Sequence, residues 1–296
     1  MSGLPLAYRG YRALLDRYQA SASPVFRGLV ERSVEAAARA GCRLTGRTFP
    51  ETATGGWWWT WRWRFEVLAG WNEIESVVWC RRLIRPGMRV LDVGAHIGYY
   101  TSLFSRLVGE AGRVYAFEPH PENFAVLERN ARRPNVRRFP RAVGDRSGRV
   151  TLHLSPGSSN HSLMPGYTES RGTLQVECAA LDDLFAAGEL TPVDFVKIDV
   201  EGGELAALDG MERLLSASPR AALLVELNPR ALECGGGTAE GLLARLRGLG
   251  FDPRIVLPDG GLAPAERAAG EDGSGFSEAV NLLCLRATGA AGRTSG

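Results

Sequence analysis

The chain has 296 residues, 35 basic and 33 acidic side chains and a formal net charge of +2. That length suits one large α/β domain with an extension, domains running to roughly 100 to 200 residues. The dispersed, nearly balanced charges exclude the basic stripe of a nucleic-acid binder. Five widely spaced cysteines (Cys42, Cys80, Cys178, Cys234, Cys284) form no C-x-x-C pair, which argues against a disulfide framework or a zinc site. The first residues carry no apolar signal region, and no apolar run of roughly 18 residues follows, so a soluble cytoplasmic protein without a membrane partner is expected.

In chain order, Tyr8 to Gln19 and Val25 to Ala40 carry apolar residues at helical spacing, with Gly41 as a stop. These helices form an extension that also offers a surface for self-association. Trp57, Trp59, Trp61, Trp63 and Phe65 then alternate with Trp58, Thr60, Arg62 and Arg64. Period two predicts an extended segment whose aromatic face either packs on the main domain or forms a lid over a substrate. Glu73 to Ile84 reads as a helix, completing an extension over residues 1–85.

From residue 86 to 286 strands alternate with helices, the pattern of parallel βαβ units in a doubly wound, Rossmann-like α/β sheet. Seven strands are expected: Arg89 to Val93, Arg113 to Glu118, Val136 to Arg141, Phe195 to Asp199, Ala221 to Leu227, Pro253 to Leu257 and Ala279 to Leu285. Val150 to Leu154 and Thr173 to Cys178 read as an inserted hairpin around a polar loop, Ser155 to Gly166. Residues 287–296 have nothing to bury and read as disordered.

The first chemical signal is Asp92-Val93-Gly94-Ala95-His96-Ile97-Gly98-Tyr99-Tyr100-Thr101, a strand running through a glycine turn into a helix. The spacing is G-x-x-x-G, not the G-x-G-x-x-G of dinucleotide binders, and Asp92 places a carboxylate where a pyrophosphate would lie. A ligand carrying a sulfonium and an ammonium fits better, which describes S-adenosylmethionine. Twenty residues past Gly98, Phe117-Glu118-Pro119 ends strand two with an acid able to accept both ribose hydroxyls. A nicotinamide oxidoreductase and a non-catalytic cofactor-binding module are the alternatives.

The second signal is Lys197-Ile198-Asp199-Val200-Glu201-Gly202-Gly203-Glu204. Lys197 is the only lysine, so the other 34 of the 35 basic residues (35 less 1) are arginine. An arginine fork cannot copy a compact ammonium held among acids, so a site role is favoured over a chance survivor in a strand. Together with Asp92 to Thr101 and Phe117 to Pro119, this segment resembles the signature of the FkbM family of class I methyltransferases, over roughly Trp71 to Leu285. The resemblance implies methyl transfer from S-adenosylmethionine, usually to a hydroxyl of a sugar, glycolipid or secondary metabolite. It also implies a cofactor site lined by Asp92, Gly94, Ala95, His96, Gly98, Glu118, Pro119, Ala142, Val143 and Asp199. His96 stands where the family often has asparagine.

In-line displacement needs an acceptor oxygen held about 3 Å from the methyl carbon and a base for its proton. Asp199 and Glu201 are the candidates, with Lys197 tempering their charge, though Glu201 and Glu204 also suit a helix start. Glu226 and Asn228, at the end of the neighbouring strand, complete an acceptor site for a sugar, glycoside or polyketide-like hydroxyl. Asp199, Glu226 and Asn228 also resemble a magnesium set of some small-molecule O-methyltransferases, leaving a divalent metal open. In the polar loop, Asn160 is a substrate candidate and His161 is either a second base or surface; Cys178 and His153 are assigned to packing or surface.

Overall fold

Val90, Leu91 and Val93 of the first core strand are buried on alternate sides, so that strand must be covered by helices on both faces. The computed structural model describes residues 4–20, 23–47, 62–156, 160–266 and 279–287. Helices α1 (Leu6–Ala20) and α2 (Pro24–Thr45) form the extension. Ser23 caps α2 by accepting the Phe26 N–H, and the helix runs through Gly41 to end at Gly46, whose φ is +65°. The expected stop at Gly41 is therefore corrected. A glycine inside a helix costs about 1 kcal/mol, which the buried stripe Val30, Val34 and Ala38 offsets.

The expected aromatic strand is also corrected where it is described. Trp63 and Phe65 lie in helix α3 (Trp63–Ala69), closed by Gly70, whereas Trp57, Trp58, Trp59 and Trp61 lie outside the described residues. Helix α4 (Ile74–Leu83) leads into the sheet.

The main sheet follows the expected alternation: β1 (Arg89–Val93), α5 (Tyr99–Val108), β2 (Arg113–Phe117), α6 (Pro121–Asn130) and β3 (Val136–Phe139). The predicted strand Val136 to Arg141 breaks at Pro140. Ala142 and Val143 form β4 (Ala142–Val143) in a second, three-stranded sheet ordered β4, β6, β5, with β5 at Gly148–His153 and β6 at Thr173–Ala179. The predicted hairpin is thus present, with β5 antiparallel to β6. Then follow α7 (Leu181–Ala186), β7 (Phe195–Ile198), α8 (Glu204–Asp209), α9 (Glu212–Ser216), β8 (Ala222–Leu227), α10 (Pro229–Cys234), α11 (Ala239–Gly248), β9 (Phe251–Val256), β10 (Leu262–Pro264) and β11 (Val280–Arg286).

Eight strands, ordered β10-β9-β11-β8-β7-β1-β2-β3, make the main sheet. The seven expected strands are all there and β10 adds an edge. Pro253 lies beyond the β9 residues that pair with β10, where the strand has β11 alone as neighbour and a missing N–H is best tolerated. One face is covered by α7, α8, α9 and α11 over Leu91, Val93, Val196 and Ile198. The other is covered by α4, α5 and α6 over Val90, Phe195 and Leu224. Strand order reverses between β1 and β7, and the crevice at the carboxyl ends of these strands is where a doubly wound sheet places its ligand. The five cysteines are free thiols, and among the described residues no helix is long and apolar enough to cross a membrane.

Candidate functional site

That crevice holds a cavity of about 370 Å³, lined from α3, the β1–α5 turn, the ends of β2, β4, β7 and β8, and the loop after β5. Glu73, Asp92, Glu118, Asp199, Glu201 and Glu226 face it, against Lys197 and Arg141 among the basic residues. Such a surplus of carboxylate selects a cationic occupant.

Asp92 follows the period-two alternation of β1 onto the face of Val90, and is fully buried. Its Oδ2 accepts from the Thr101 hydroxyl at 2.5 Å, while Oδ1 is buried without a hydrogen-bond partner. Burial raises the Asp92 pKa, and the Lys197 charge opposes the rise. Glu118 is held by backbone: Oε2 accepts the His96 N–H at 2.9 Å and Oε1 the His120 N–H at 3.0 Å. Burial pushes its carboxyl up to about 7 against those hydrogen bonds. His96 contributes this N–H from a left-handed backbone, φ +48°, a conformation costing about 1 kcal/mol or more for a non-glycine residue. Burial lowers its ring to about 4, so the imidazole is neutral, and it lies 5.7 Å from the Trp63 ring.

The glycines of the turn pack protein on protein. A Cβ at Gly94, φ +84°, would stand 1.7 Å from the Asp199 carbonyl oxygen, and one at Gly98, φ +81°, would stand 2.8 Å from Leu127 Cδ1. Gly94 still borders the cavity, whereas Gly98 is absent from its lining. Of the two glycines that the resemblance implies for the cofactor site, Gly94 therefore lies at the cavity and Gly98 packs against α6.

Lys197, 3% exposed, is the register partner of Asp92 across β1 and β7. Its Nζ donates to Asp199 Oδ2 at 2.6 Å and lies 4.6 Å from the centre of the Tyr100 ring. Burial alone would lower its pKa, but Asp199, Glu73 and Asp92 together raise it, so it stays an ammonium. Tyr100 donates to Glu73 Oε2 at 3.0 Å, and Asn281 donates to the same oxygen at 3.0 Å.

Glu201 stands on the turn after β7 with φ +54°. Burial and then the Asp199 charge push its carboxyl up to about 8. Burial followed by Asp199 and Glu201 raises Glu226 well above the usual range. Glu204 is an inward structural acid rather than a mere helix-start charge, its Oε1 accepting the Val200 and Gly202 N–H groups.

Three candidates have hydrogen-bond partners of their own, two of them, Asn160 and His161, at the cavity wall. Asn228 is outside the cavity lining: its Oδ1 caps α10 through the Ala231 N–H and its Nδ2 donates to the Tyr167 hydroxyl at 2.7 Å. Asn160 borders the cavity and also hydrogen-bonds Tyr167, which in turn hydrogen-bonds Glu201. His161 Nδ1 accepts the Ser155 N–H at 3.1 Å, and burial beside His120 lowers its ring to about 4. A ring so held is a weak proton acceptor at neutral pH, which argues against His161 as base. Pro119, Ala95, Ala142 and Val143 line the cavity, the last two from β4 rather than from strand three. His153 bonds Ser162 through its backbone, and Cys178 is buried in the small sheet.

Sequence reasoning missed Glu73, Tyr167 and Asn281. Glu73 precedes a helix and Tyr167 sits in a polar loop, so neither carries a local signal, and Asn281 reads only as a strand residue. Tyr100 lay in the quoted motif without a role assigned.

Three relatives align with parts of the chain: "Hexuronic acid methyltransferase AglP" of Haloferax volcanii, "2-O-methyltransferase NoeI" of Sinorhizobium fredii and "31-O-demethyl-FK506 methyltransferase FkbM" of Streptomyces tacrolimicus. The first is 31% identical over 128 residues, covering 43% of this chain and 51% of the relative. The second is 28% identical over 156 residues, covering 45% and 61%. The third is 31% identical over 160 residues, covering 44% and 61%. The chain thus spans between about half and three-fifths of the length of these relatives. The Methyltransferase FkbM domain matches residues 92–253, from the Asp92 carboxylate to β9 and so across every acid of the cavity but Glu73, and the chain belongs to that family of methyltransferases.

Proposed function

We propose that this protein transfers a methyl group from S-adenosylmethionine to a hydroxyl oxygen of a sugar, glycoside or other small secondary metabolite. The observation that carries this reading is the pairing of Asp92, with an unpartnered buried oxygen, and Glu118 at the ends of adjacent strands. Asp92 and its neighbours suit the ammonium and sulfonium side of the cofactor, and Glu118 retains acceptor capacity for ribose hydroxyls. When bound, the cofactor supplies a methyl group on an excellent leaving group. The protein's own contribution is to hold the acceptor in line, exclude water and receive a proton.

Asp199 and Glu201 are assigned to the acceptor because they follow β7, which flanks β1 on the side opposite to β2 and Glu118. Glu201, with its carboxyl near 8, is matched to proton removal near neutral pH, and Tyr167 orients it. Lys197 fixes the direction of Asp199 by donating to its Oδ2. The names of the relatives support this acceptor class: one specifies a hexuronic acid, one a 2-O position and one 31-O-demethyl-FK506. Nicotinamide chemistry does not fit the family or the Asp92 carboxylate.

The test is calorimetry with S-adenosylhomocysteine and with NAD, followed by incubation with S-adenosylmethionine and a panel of uronic acids, glycosides and polyketide alcohols read by mass spectrometry. Binding of S-adenosylhomocysteine alone and a one-methylene mass gain on an alcohol are expected. Tight NAD binding, or methylation confined to nitrogen, would overturn the reading.

A further inference from the structure

We propose that Asp199, Glu201 and Glu226 form a binding site for one hard divalent cation, magnesium or manganese, at the acceptor end of the cavity. One carboxylate oxygen from each residue lies within 4.8 Å of the others. They come from three separate places: the end of β7, the left-handed turn after it, and β8.

The second, independent observation is what these oxygens lack. Glu226 Oε2 and Glu201 Oε2 are both sealed from solvent without a hydrogen-bond partner. Two further buried carboxylate oxygens in the crevice region lack partners, Asp92 Oδ1 and Glu204 Oε2, but each of those carboxyls has its other oxygen held, by the Thr101 hydroxyl and by the Val200 and Gly202 N–H groups. The register neighbour of Glu226 on β11 is Asn281, yet that amide is turned to Glu73. Lys197 reaches Asp199 Oδ2 and cannot serve three carboxylates with one ammonium. Buried carboxylate oxygens left without donors are strongly disfavoured as anions unless a proton or a cation neutralises them, and one divalent cation would neutralise the cluster as a whole.

The donor set decides the kind of ion. All three ligands are carboxylate oxygens, with no sulfur and no imidazole, which suits magnesium, manganese or calcium rather than zinc or copper. All three residues line the cavity, so an ion held by them would be open to water or to acceptor oxygens. Glu201 is braced by Tyr167 and by the Ser162 hydroxyl, which donates to the Glu201 carbonyl oxygen; with a cation bound, Glu201 would serve as its ligand, and the ion would take over from Glu201 as base by lowering the acceptor hydroxyl's own pKa. The trio differs from the set expected from sequence, because Glu201 replaces Asn228, whose side chain is spent on Tyr167 and on capping α10.

The experiment titrates the full chain, stripped with a chelator, with manganese chloride and follows free manganese by electron paramagnetic resonance. One saturable site per chain, displaced by magnesium, is expected with a dissociation constant below about 1 mM. Glu226→Gln and Glu201→Gln should each weaken it at least tenfold, whereas Asp252→Asn on β9 should leave it unchanged. Circular dichroism confirms folding, and glutamine relieves charge repulsion, so both variants are expected to fold. A folded wild type without a saturable site overturns the proposal whatever the variants do, and so does undiminished binding in either glutamine variant. The signal reports the ion and not methyl transfer, so failure here and failure of the methyltransferase reading are separate results.

Discussion

Asp92 and Lys197 are register partners across β1 and β7, side by side on one face of the sheet and beneath Tyr100. The pair stands at the strand-order reversal, so the lysine is the positive centre around which Asp92, Asp199 and Glu73 are arranged. The acids stay close because a single buried ammonium is shared among them.

Lys197→Met should therefore destabilise the fold by about 3 to 5 kcal/mol, since it leaves buried carboxylates uncompensated. Lys197→Arg should fold less stably by about 1 to 3 kcal/mol, because a longer planar group must enter a filled space under Tyr100. It should also lose most turnover by misdirecting Asp199. Thermal melts and turnover with an accepted alcohol check both; full activity in Lys197→Arg would remove the need for an ammonium.

Glu118 gives a pH prediction. Its carboxyl sits near 7 because it is buried, whereas ribose hydroxyls donate to the ionised form. Above the folded pKa the carboxylate is ready, and below it the ligand must displace a proton. Affinity for S-adenosylhomocysteine should thus be flat above roughly pH 8 and fall toward tenfold per unit well below 7. Glu118→Gln should bind about 2 kcal/mol more weakly at high pH and lose this dependence. Calorimetry across that range decides it, and a wild-type profile without a slope would take Glu118 out of the ribose site.

Gly94 makes the tightest approach in the site. A methyl group there meets the Asp199 carbonyl oxygen at 1.7 Å and requires a left-handed alanine. Gly94→Ala should move the β1–α5 turn away from the end of β7, costing more than about 2 kcal/mol of stability and weakening cofactor binding together. A variant that melts and binds like the wild type would show that the two segments separate easily.

Local signals carried much of this architecture. Strand, turn and helix around Gly94, the acid ending β2 and the segment Lys197 to Glu204 are contiguous, so their chemistry shows in sequence. The doubly wound class follows from the βαβ alternation and the hairpin from the loss of helical period after Gly148, whereas the insertion of antiparallel β11 between β8 and β9 leaves no such local signal. What escaped depends on distant chain segments. Glu73 and Asn281 meet over 208 positions of separation, and Tyr167 matters only because a loop folds it onto Glu201. The aromatic alternation misled at its end: Trp63 and Val67, four apart, bring one helix face to the cavity, a spacing hidden by the period-two run before it. Pro140 separated β3 from β4, and that break moved Ala142 and Val143 into the small sheet.

Trp63 now stands for the lid question among the described residues. It borders the cavity, lies against the His96 ring and packs with Val67, Ile97 and Val126. A purely packing role predicts that Trp63→Ala lowers the melting temperature and leaves kinetics intact. A covering role predicts a several-fold rise in the acceptor KM with kcat nearly kept, because binding shared by ground and transition states has been removed. The partial exposure of Trp63 and its place in the lining favour the second outcome, with a modest stability loss of about 1 to 2 kcal/mol from the truncated contact. Steady-state kinetics set beside thermal melts separate the two, and Trp63→Phe should recover most of the acceptor binding by restoring an aromatic face over His96.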